Sequence, residues 1–208
     1  QTPQAFTAHN CTVTKGHFTI ECYTAEGAGF SHLWEVLIGG QLNTPATTAY
    51  AAPIISNITG PGSSQADTSG NELVRIDGWN FGPPSSAKRE SFLEKVTYGF
   101  TGREYTAKDC KVISHKRIEF KTVPGVGTHN IWQVKVAGQT NDVLASPVTD
   151  YAVPKCWAMY DMIGSKESEP ESKWVTNPDT ALARIELRCE HTGLADSLAS
   201  TRYIRYSL

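Results

Sequence analysis

The fold is decided by Pro53–Val153, which opens with PIISNITGPGSS (53–64), continues with NELVRIDGWNFG (71–82) and closes with CKVISHKRIEFKTVPGVGTHNIWQVKVAGQ (110–139). Apolar and polar residues alternate in NELVRIDG, which is typical of a half-buried strand. Turn signals rich in Gly, Pro, Ser and Asp separate the strand-like segments. No segment shows helical periodicity, and six or seven short strands in about a hundred residues predict an antiparallel β-sandwich.

The rest of the chain repeats parts of this stretch. CTVTKGHFTIECYTAEGAGFSHLWEVLIGGQ (11–41) matches 110–139 with one residue of gap, so that Trp34 falls on Trp132. Downstream, YAVP (151–154) echoes YAAP (50–53), and ARIELRCEHTG (183–193) echoes VRIDGWNFG. A repeat of roughly a hundred residues makes each unit a domain rather than a solenoid turn. Recurrence in the same frame favours a core position for Trp34 over a ligand platform.

The phase of the repeat divides the chain into a half, a whole and a half. Residues 1–52 match only the back half of the unit, and we call them the head half. Residues 53–153 are the complete unit, and residues 154–208, the tail half, match only the front half. The match of the tail half stops near Tyr98 of the complete unit, and the match of the head half starts near Tyr105. Placed end to end, the two halves therefore make one unit with almost no overlap or gap.

These residues resemble a known family. The pattern Pro53-x-Ile55-x-x-Ile58, the strand and turn LVRIDGWNFG (73–82), VTYG (96–99) and VPGVG (123–127) are similar to the IPT/TIG domain, the immunoglobulin-like module of plexins and some transcription factors. The resemblance implies tandem immunoglobulin-like sandwiches with a half-domain at each end. The turn is altered in the tail half, where LRCEHTG (187–193) stands in place of GWNFG (78–82), and the head half lacks it.

Four of the five cysteines are placed for pairing. Cys11 and Cys22 lie at opposite ends of a predicted hairpin. Cys156 begins one predicted strand and Cys189 ends the next, so an antiparallel pairing brings them together as well. Free buried thiols are the alternative. Two independent geometric matches favour disulfides Cys11–Cys22 and Cys156–Cys189, and with them an oxidising compartment.

Cys110 is left without a partner, because Phe120 stands where Cys22 does in the head half. We interpret it as a buried thiol rather than an intermolecular link.

Two Asn-x-Thr sequons, at Asn10 and Asn57, are consistent with the secretory route. Together with the disulfides they predict N-linked glycans at both asparagines. We therefore expect an extracellular protein, either secreted or at the cell surface.

Composition and motifs exclude several function classes. The net charge is −2 with no basic run, so nothing points to nucleic acid. No apolar stretch approaches ~20 residues, so no membrane span is predicted. The six histidines show no HExxH pair, and neither a nucleophile elbow nor a phosphate-binding loop occurs. We predict no enzyme activity, no cofactor and no metal site.

Two function classes remain. The first is a structural subunit of an extracellular, glycosylated fibre, in which the tail half of one chain and the head half of the next complete one sandwich. Its partners are other copies of the chain and N-linked glycans. The second is a fragment of a long adhesion or receptor ectodomain in which IPT-like domains serve as spacers.

Overall fold

A computed structural model describes residues 6–44, 46–84, 91–161 and 185–193. All strand ladders among these residues are antiparallel. Helical structure among them is limited to two short 3-10 turns, Pro61–Ser63 and Val143–Ala145. The prediction of an all-β chain is confirmed.

The described residues of the complete unit contain eight strands in two four-stranded sheets. The strands are β7 (Ile54–Thr59), β8 (Leu73–Trp79), β9 (Leu93–Gly99), β10 (Tyr105–Thr106), β11 (Lys108–Ser114), β12 (Arg117–Lys121), β13 (Ile131–Val136) and β14 (Gln139–Thr140). The first sheet has the order β11-β12-β8-β7 and the second β10-β9-β13-β14.

The core of the complete unit lies between these sheets. Trp132 of β13 stacks on Tyr98 of β9 at 4.2 Å between ring centroids, and Phe120 of β12 reaches it from the other sheet at 5.0 Å. Around them lie fully buried aliphatic residues from both sheets: Val74, Ile76, Val96, Ile118, Val134 and Val136. Every second residue of β8 and β13 is buried, as expected of strands with one face in a core. The arrangement is consistent with a β-sandwich.

The head half is a set of two-stranded pieces. Its strands are β1 (His9–Lys15), β2 (Thr19–Tyr23), β3 (His32–Trp34), β4 (Leu37–Ile38), β5 (Gln41–Leu42) and β6 (Ala46–Thr48). They pair as β1-β2, β3-β6 and β4-β5. The described part of the tail half is one hairpin, β15 (Lys155–Asp161) with β16 (Ile185–Glu190).

One predicted strand is interrupted. The sequence predicts a continuous strand over 33–38, whereas the structure has β3 and β4 with a break at Glu35 and Val36. The equivalent strand β13 is continuous, because β9 pairs with it over its length. In the head half the neighbours of β3 and β4 are the short strands β6 and β5. The interruption therefore reflects a missing neighbour rather than a different local sequence.

Candidate interaction surfaces

The head half reproduces the hydrogen bonds of the complete unit. Asn43 Nδ2 donates to the Trp34 carbonyl (3.0 Å) and its Oδ1 accepts from the Val36 amide (2.7 Å), as Asn141 does with Trp132 (3.1 Å) and Val134 (2.7 Å). Three further hydrogen bonds recur. The indole Nε1 of Trp34 donates to Thr48 Oγ1, as that of Trp132 does to Thr149 Oγ1. Tyr50 donates through its hydroxyl to the Ala25 carbonyl and through its amide to the Gly29 carbonyl, and Tyr151 donates in the same way to the Val123 and Gly127 carbonyls. The sequence repeat is thus also a repeat of local structure.

The same equivalence fails for burial. Val13 and Ile20 pair across the β1-β2 hairpin and are 65% and 43% exposed. Their counterparts Val112 and Ile118 pair in the same way and are 7% and 0% exposed. Three further head-half counterparts of core residues are also less buried: Trp34 and Val36 are half-buried and Ile38 is 61% exposed. We call Val13, Ile20, Trp34, Val36 and Ile38 the open core face.

The predicted core position of Trp34 is therefore realised only at its repeat partner. Trp132 is fully buried, whereas Trp34 is half-buried in the chain. Trp34 nevertheless keeps the same indole hydrogen bond as Trp132. Within the part of the chain that the structure describes, its ring is not covered as that of Trp132 is.

The described tail hairpin has the same pairing pattern as β7 and β8 of the complete unit. In the complete unit β7 and β8 pair with a bulge between Ile55 and Asn57. The β15-β16 hairpin pairs with a bulge between Cys156 and Ala158, which are the equivalent positions. In this register β16 is the counterpart of β8.

This register differs by two residues from the alignment that the sequence similarity between 183–193 and 74–82 indicates. The echo aligns Ile185 with Ile76, whereas the backbone pairing places Leu187 at the position of Ile76 and Cys189 at that of Gly78. A shift of two leaves every side chain on the same face, because strands have a period of two. Apolar alternation alone therefore could not distinguish the two alignments.

Each half has a strand edge that is paired in the complete unit. There β12 pairs with β11 on one side and with β8 on the other. Within the described residues β2 pairs only with β1, and β16 pairs only with β15. Since β2 corresponds to β12 and β16 to β8, the two free edges are the two that meet inside a complete unit. An unpaired edge next to an apolar face is a template for another strand.

Both predicted disulfides are present. Cys11–Cys22 joins β1 to β2, and Cys156–Cys189 joins β15 to β16. Each of them links the two strands of one isolated hairpin, where little core is available for stabilisation.

Cys110 is a free thiol that donates to the Ala107 carbonyl at 3.6 Å. It is partly buried against the core, and burial raises its pKa to about 11. A thiol in this state is a poor nucleophile.

The two sequon asparagines are exposed. Asn10 lies in β1 with a positive φ of 53°, and Asn57 lies in β7, an edge strand of its sheet. Both side chains are accessible to a glycosyltransferase, so the glycans remain a prediction with a suitable geometry.

A junction between the head half and the complete unit is a feature that the sequence analysis missed. Phe6 stacks on Phe92 at 5.9 Å, Gln139 Nε2 donates to the Tyr50 carbonyl (2.9 Å), and Ala28 is buried in the core cluster of the complete unit. The repeat gives a signal only for the contact within the head half. Phe6 and Tyr50, which fall on Tyr105 and Tyr151, pack edge to face at 5.8 Å, as those two rings do at 5.7 Å.

Nothing in the described residues brings catalytic or metal-ligating groups together. No group of three or more His, Cys, Asp or Glu side chains in this part of the chain could hold a metal ion. Two open depressions lie on the surface of the complete unit, one along Asp77, Trp79 and Arg117 and the other along Thr97, Gln133 and Lys135. None of the helices among the described residues is long and apolar enough to cross a membrane.

The surfaces that distinguish this chain are thus the open core face, the free edges of β2 and β16, and the junction. Their chemistry is that of protein association, since they offer apolar area and unpaired backbone groups. Comparison with known proteins adds no assignment, because no family model, no curated protein and no solved structure matches the chain.

Proposed function

We propose that this protein is the structural subunit of an extracellular, glycosylated fibre that grows head to tail. The tail half of one copy and the head half of the next complete one sandwich, so that complete units alternate with shared ones along the fibre. The observation that carries this proposal is the open core face. Five residues whose counterparts are buried in the core of the complete unit are exposed or half-buried in the head half. The tail half contains a hairpin whose counterpart, β7-β8, continues the sheet of β11 and β12 in the complete unit.

The complete unit supplies a template for the shared one. There β12 pairs with β8 with Ile118 opposite Ile76. By equivalence β2 of one copy pairs with β16 of another, with Ile20 opposite Leu187. Completing a whole sandwich, by this edge pairing and by the packing of its two sheets, removes roughly 2,000 Å² or more from water, in the range of obligate interfaces.

The contact joins different surfaces of the two copies. Such a heterologous interface need not close into a ring, and its repetition produces an open filament.

An extracellular location accords with the two disulfides, which persist in oxidising compartments. We expect N-linked glycans at Asn10 and Asn57 on the outer surface. Treatment of the secreted protein with an N-glycosidase should lower its mass by the mass of the glycans on both asparagines. An unchanged mass would contradict this part of the proposal.

The sandwich units are proposed to be IPT/TIG-like. Support comes from the resemblance of LVRIDGWNFG (73–82), VTYG (96–99) and VPGVG (123–127), and from two face-to-face antiparallel sheets. In that family such domains often serve as spacers, a role that accords with a structural rather than an enzymatic function.

Assembly is tested with two matched variants of the full chain produced through the secretory route. Ile20→Asp places a charge on the open core face, whereas Thr19→Asp changes its neighbour, whose counterpart Arg117 is exposed in the complete unit. We expect filaments by electron microscopy for the parent chain and for Thr19→Asp, and none for Ile20→Asp. An unpaired carboxylate in the completed core costs several kcal/mol and should prevent assembly. The same substitution should affect the unassembled chain less, because Ile20 is 43% exposed there.

The subunit itself is tested by denaturing electrophoresis of purified filaments. We expect the filaments to dissociate into many separate glycosylated polypeptides rather than to run as one continuous chain. A single very long polypeptide would instead favour the ectodomain alternative.

Filaments of Ile20→Asp indistinguishable from those of the parent chain would refute completion through the open core face.

A further inference from the structure

The junction within the chain has two sides. One side is the loop end of the head half, Ala25–Ser31 with Tyr50. The other is the turn Ala137-Gly138-Gln139 of the complete unit. Gln139 Nε2 donates to the Tyr50 carbonyl (2.9 Å), the Phe30 ring lies against Gly138, and a Cβ added to Gly29 would lie 3.2 Å from Ala137 Cβ. The turn is thus held between a backbone carbonyl and an aromatic ring.

The loop side recurs at the far end of the complete unit. Residues 123–129 with Tyr151 are the counterpart of 25–31 with Tyr50. The Tyr50 amide donates to the Gly29 carbonyl and the Tyr151 amide to the Gly127 carbonyl, both at 2.9 Å. The two glycines have φ values of 104° and 118°, so the loops share a backbone conformation that favours glycine.

The turn side recurs in the head half. Gly39 and Gly40 have φ values of 57° and 82°, close to the 44° and 83° of Ala137 and Gly138. Gln41 follows them as Gln139 follows the second turn, and Lys135-Val136 and Leu37-Ile38 flank the turns as equivalent strand ends. The head half therefore carries a second copy of the glutamine turn.

The recurring copies are uncovered in the chain. Gly29 is buried in the junction, whereas Gly127 is exposed; Ala28 is buried, whereas its counterpart Val126 is only half-buried. Gln139 is half-buried and Gln41 is exposed. Each of the two recurring surfaces thus has the conformation of a surface that is used in the junction and, among the described residues, contacts no equivalent partner.

We propose that these two recurring surfaces bind each other between successive copies. Residues 123–129 with Tyr151 of one copy receive the Gly39-Gly40-Gln41 turn of the next, and Gln41 Nε2 donates to the Tyr151 carbonyl. This inference rests on the proposed fibre, because it is sandwich completion that brings the head half of the next copy to this end of the complete unit. The interface between copies then has two parts, a completed sandwich and a unit-to-unit junction.

The intermolecular junction has fewer contacts than the intramolecular one. Glu26, whose carboxylate lies 3.6 Å from His115 Nε2, is replaced by Pro124 in the equivalent loop. Phe30, which packs on Gly138, is replaced by Thr128. The hydrogen bond from the glutamine is therefore the main polar contact at the junction between copies.

The inference is tested by electron cryomicroscopy of the filaments. If the two junctions are equivalent, the rotation and rise from a complete unit to a shared one equal those from a shared unit to a complete one. The filament then shows a pseudo-repeat at half the subunit spacing, and Gln41 Nε2 lies within hydrogen-bond distance of the Tyr151 carbonyl. Two unequal junctions, or a distant Gln41, overturn the inference while leaving sandwich completion intact.

A matched pair of variants separates the two parts of the interface. Gln41→Ala should still form filaments, but with a wider distribution of bend angles at the intermolecular junction only. The loss of one hydrogen bond lowers the ratio of closed to open junctions roughly two- to tenfold. Gln139→Ala should widen the other junction instead. Unchanged bending in Gln41→Ala overturns the inference. Absence of filaments from the parent chain overturns the fibre proposal and this inference with it.

Discussion

The head half and the complete unit differ in burial although they share their local structure. Asn43 and Asn141 make the same side-chain bonds to the backbone, and Trp34 and Trp132 donate to equivalent threonines. Yet Val112 and Ile118 are buried, whereas Val13 and Ile20 are exposed. The comparison separates what neighbouring residues along the chain can organise from what a second sheet must provide.

The difference has an energetic meaning. Hydrogen bonds that can be exchanged with water contribute about 0.5–1.5 kcal/mol each, whereas fully burying a Val or Ile side chain contributes about 1.5–3 kcal/mol. The head half has the first kind of contribution and lacks most of the second. Variants at equivalent positions should therefore have unequal effects in the unassembled chain.

The largest inequality is expected at the tryptophans. Trp132→Ala should lower the free energy of unfolding of the complete unit by about 3–5 kcal/mol, because it removes a fully buried ring that packs on Tyr98 and Phe120. Trp34→Ala should change the stability of the unassembled chain far less. Denaturant titration of the two variants, below the concentration at which filaments form, measures both. Equal losses would show that the head half has a core of its own.

The disulfides should give the next largest effect. Replacing Cys11 and Cys22 by serine should destabilise the β1-β2 hairpin by about 2–4 kcal/mol. The β11-β12 hairpin has no disulfide and serves as the internal control. Hydrogen exchange should become faster in β1 and β2 and stay unchanged in β11 and β12. Unchanged exchange in β1 and β2 would mean that the bond does not hold the hairpin.

The asparagine pair should show a smaller contrast. Asn141→Ala leaves the buried Val134 amide without its acceptor and should cost about 1–3 kcal/mol. Asn43→Ala should cost less, because water can replace the side chain at the exposed Asn43. The two free energies of unfolding, measured in one denaturant series, test the contrast; a larger loss for Asn43→Ala would contradict it.

The smallest effect concerns Cys110, the counterpart of the disulfide-bonded Cys11. Burial raises its pKa from 9.0 to about 11, so alkylation at pH 8 should be slow in the native chain and fast after unfolding. The sign for stability follows from the same shift. The folded state holds the thiol proton more tightly than the unfolded state does. The resulting contribution to the free energy of unfolding is therefore fully present below pH 9 and is lost as the pH rises toward about 11. Fast native labelling at pH 8 would show that the thiol is accessible.

Much of the local structure could be predicted from the sequence. Alternation in NELVRIDG, the turn at Lys15-Gly16-His17 and the spacing of Cys11 and Cys22 predicted strands, a hairpin and a disulfide that the structure contains. These features depend on residues close in sequence, or on two strands joined by one loop. The repeat also identified the positions that are buried once a second sheet is present.

Other features were decided only by tertiary structure. The two-residue shift of β16 relative to β8 leaves the faces unchanged, so only backbone pairing could fix it. The break between β3 and β4 depends on whether a strand equivalent to β9 is alongside. The junction of Phe6, Phe92 and Gln139 joins residues far apart in sequence.

The sequence by itself determined most of the strand segments, their apolar faces and the pairing of the cysteines. Tertiary structure decided which of those faces are covered. The physical reason is that alternation along a strand is a local property, whereas burial requires a second layer that the strand's own sequence does not contain. Among the described residues, that layer buries Trp132 fully, whereas Trp34 is only half-buried.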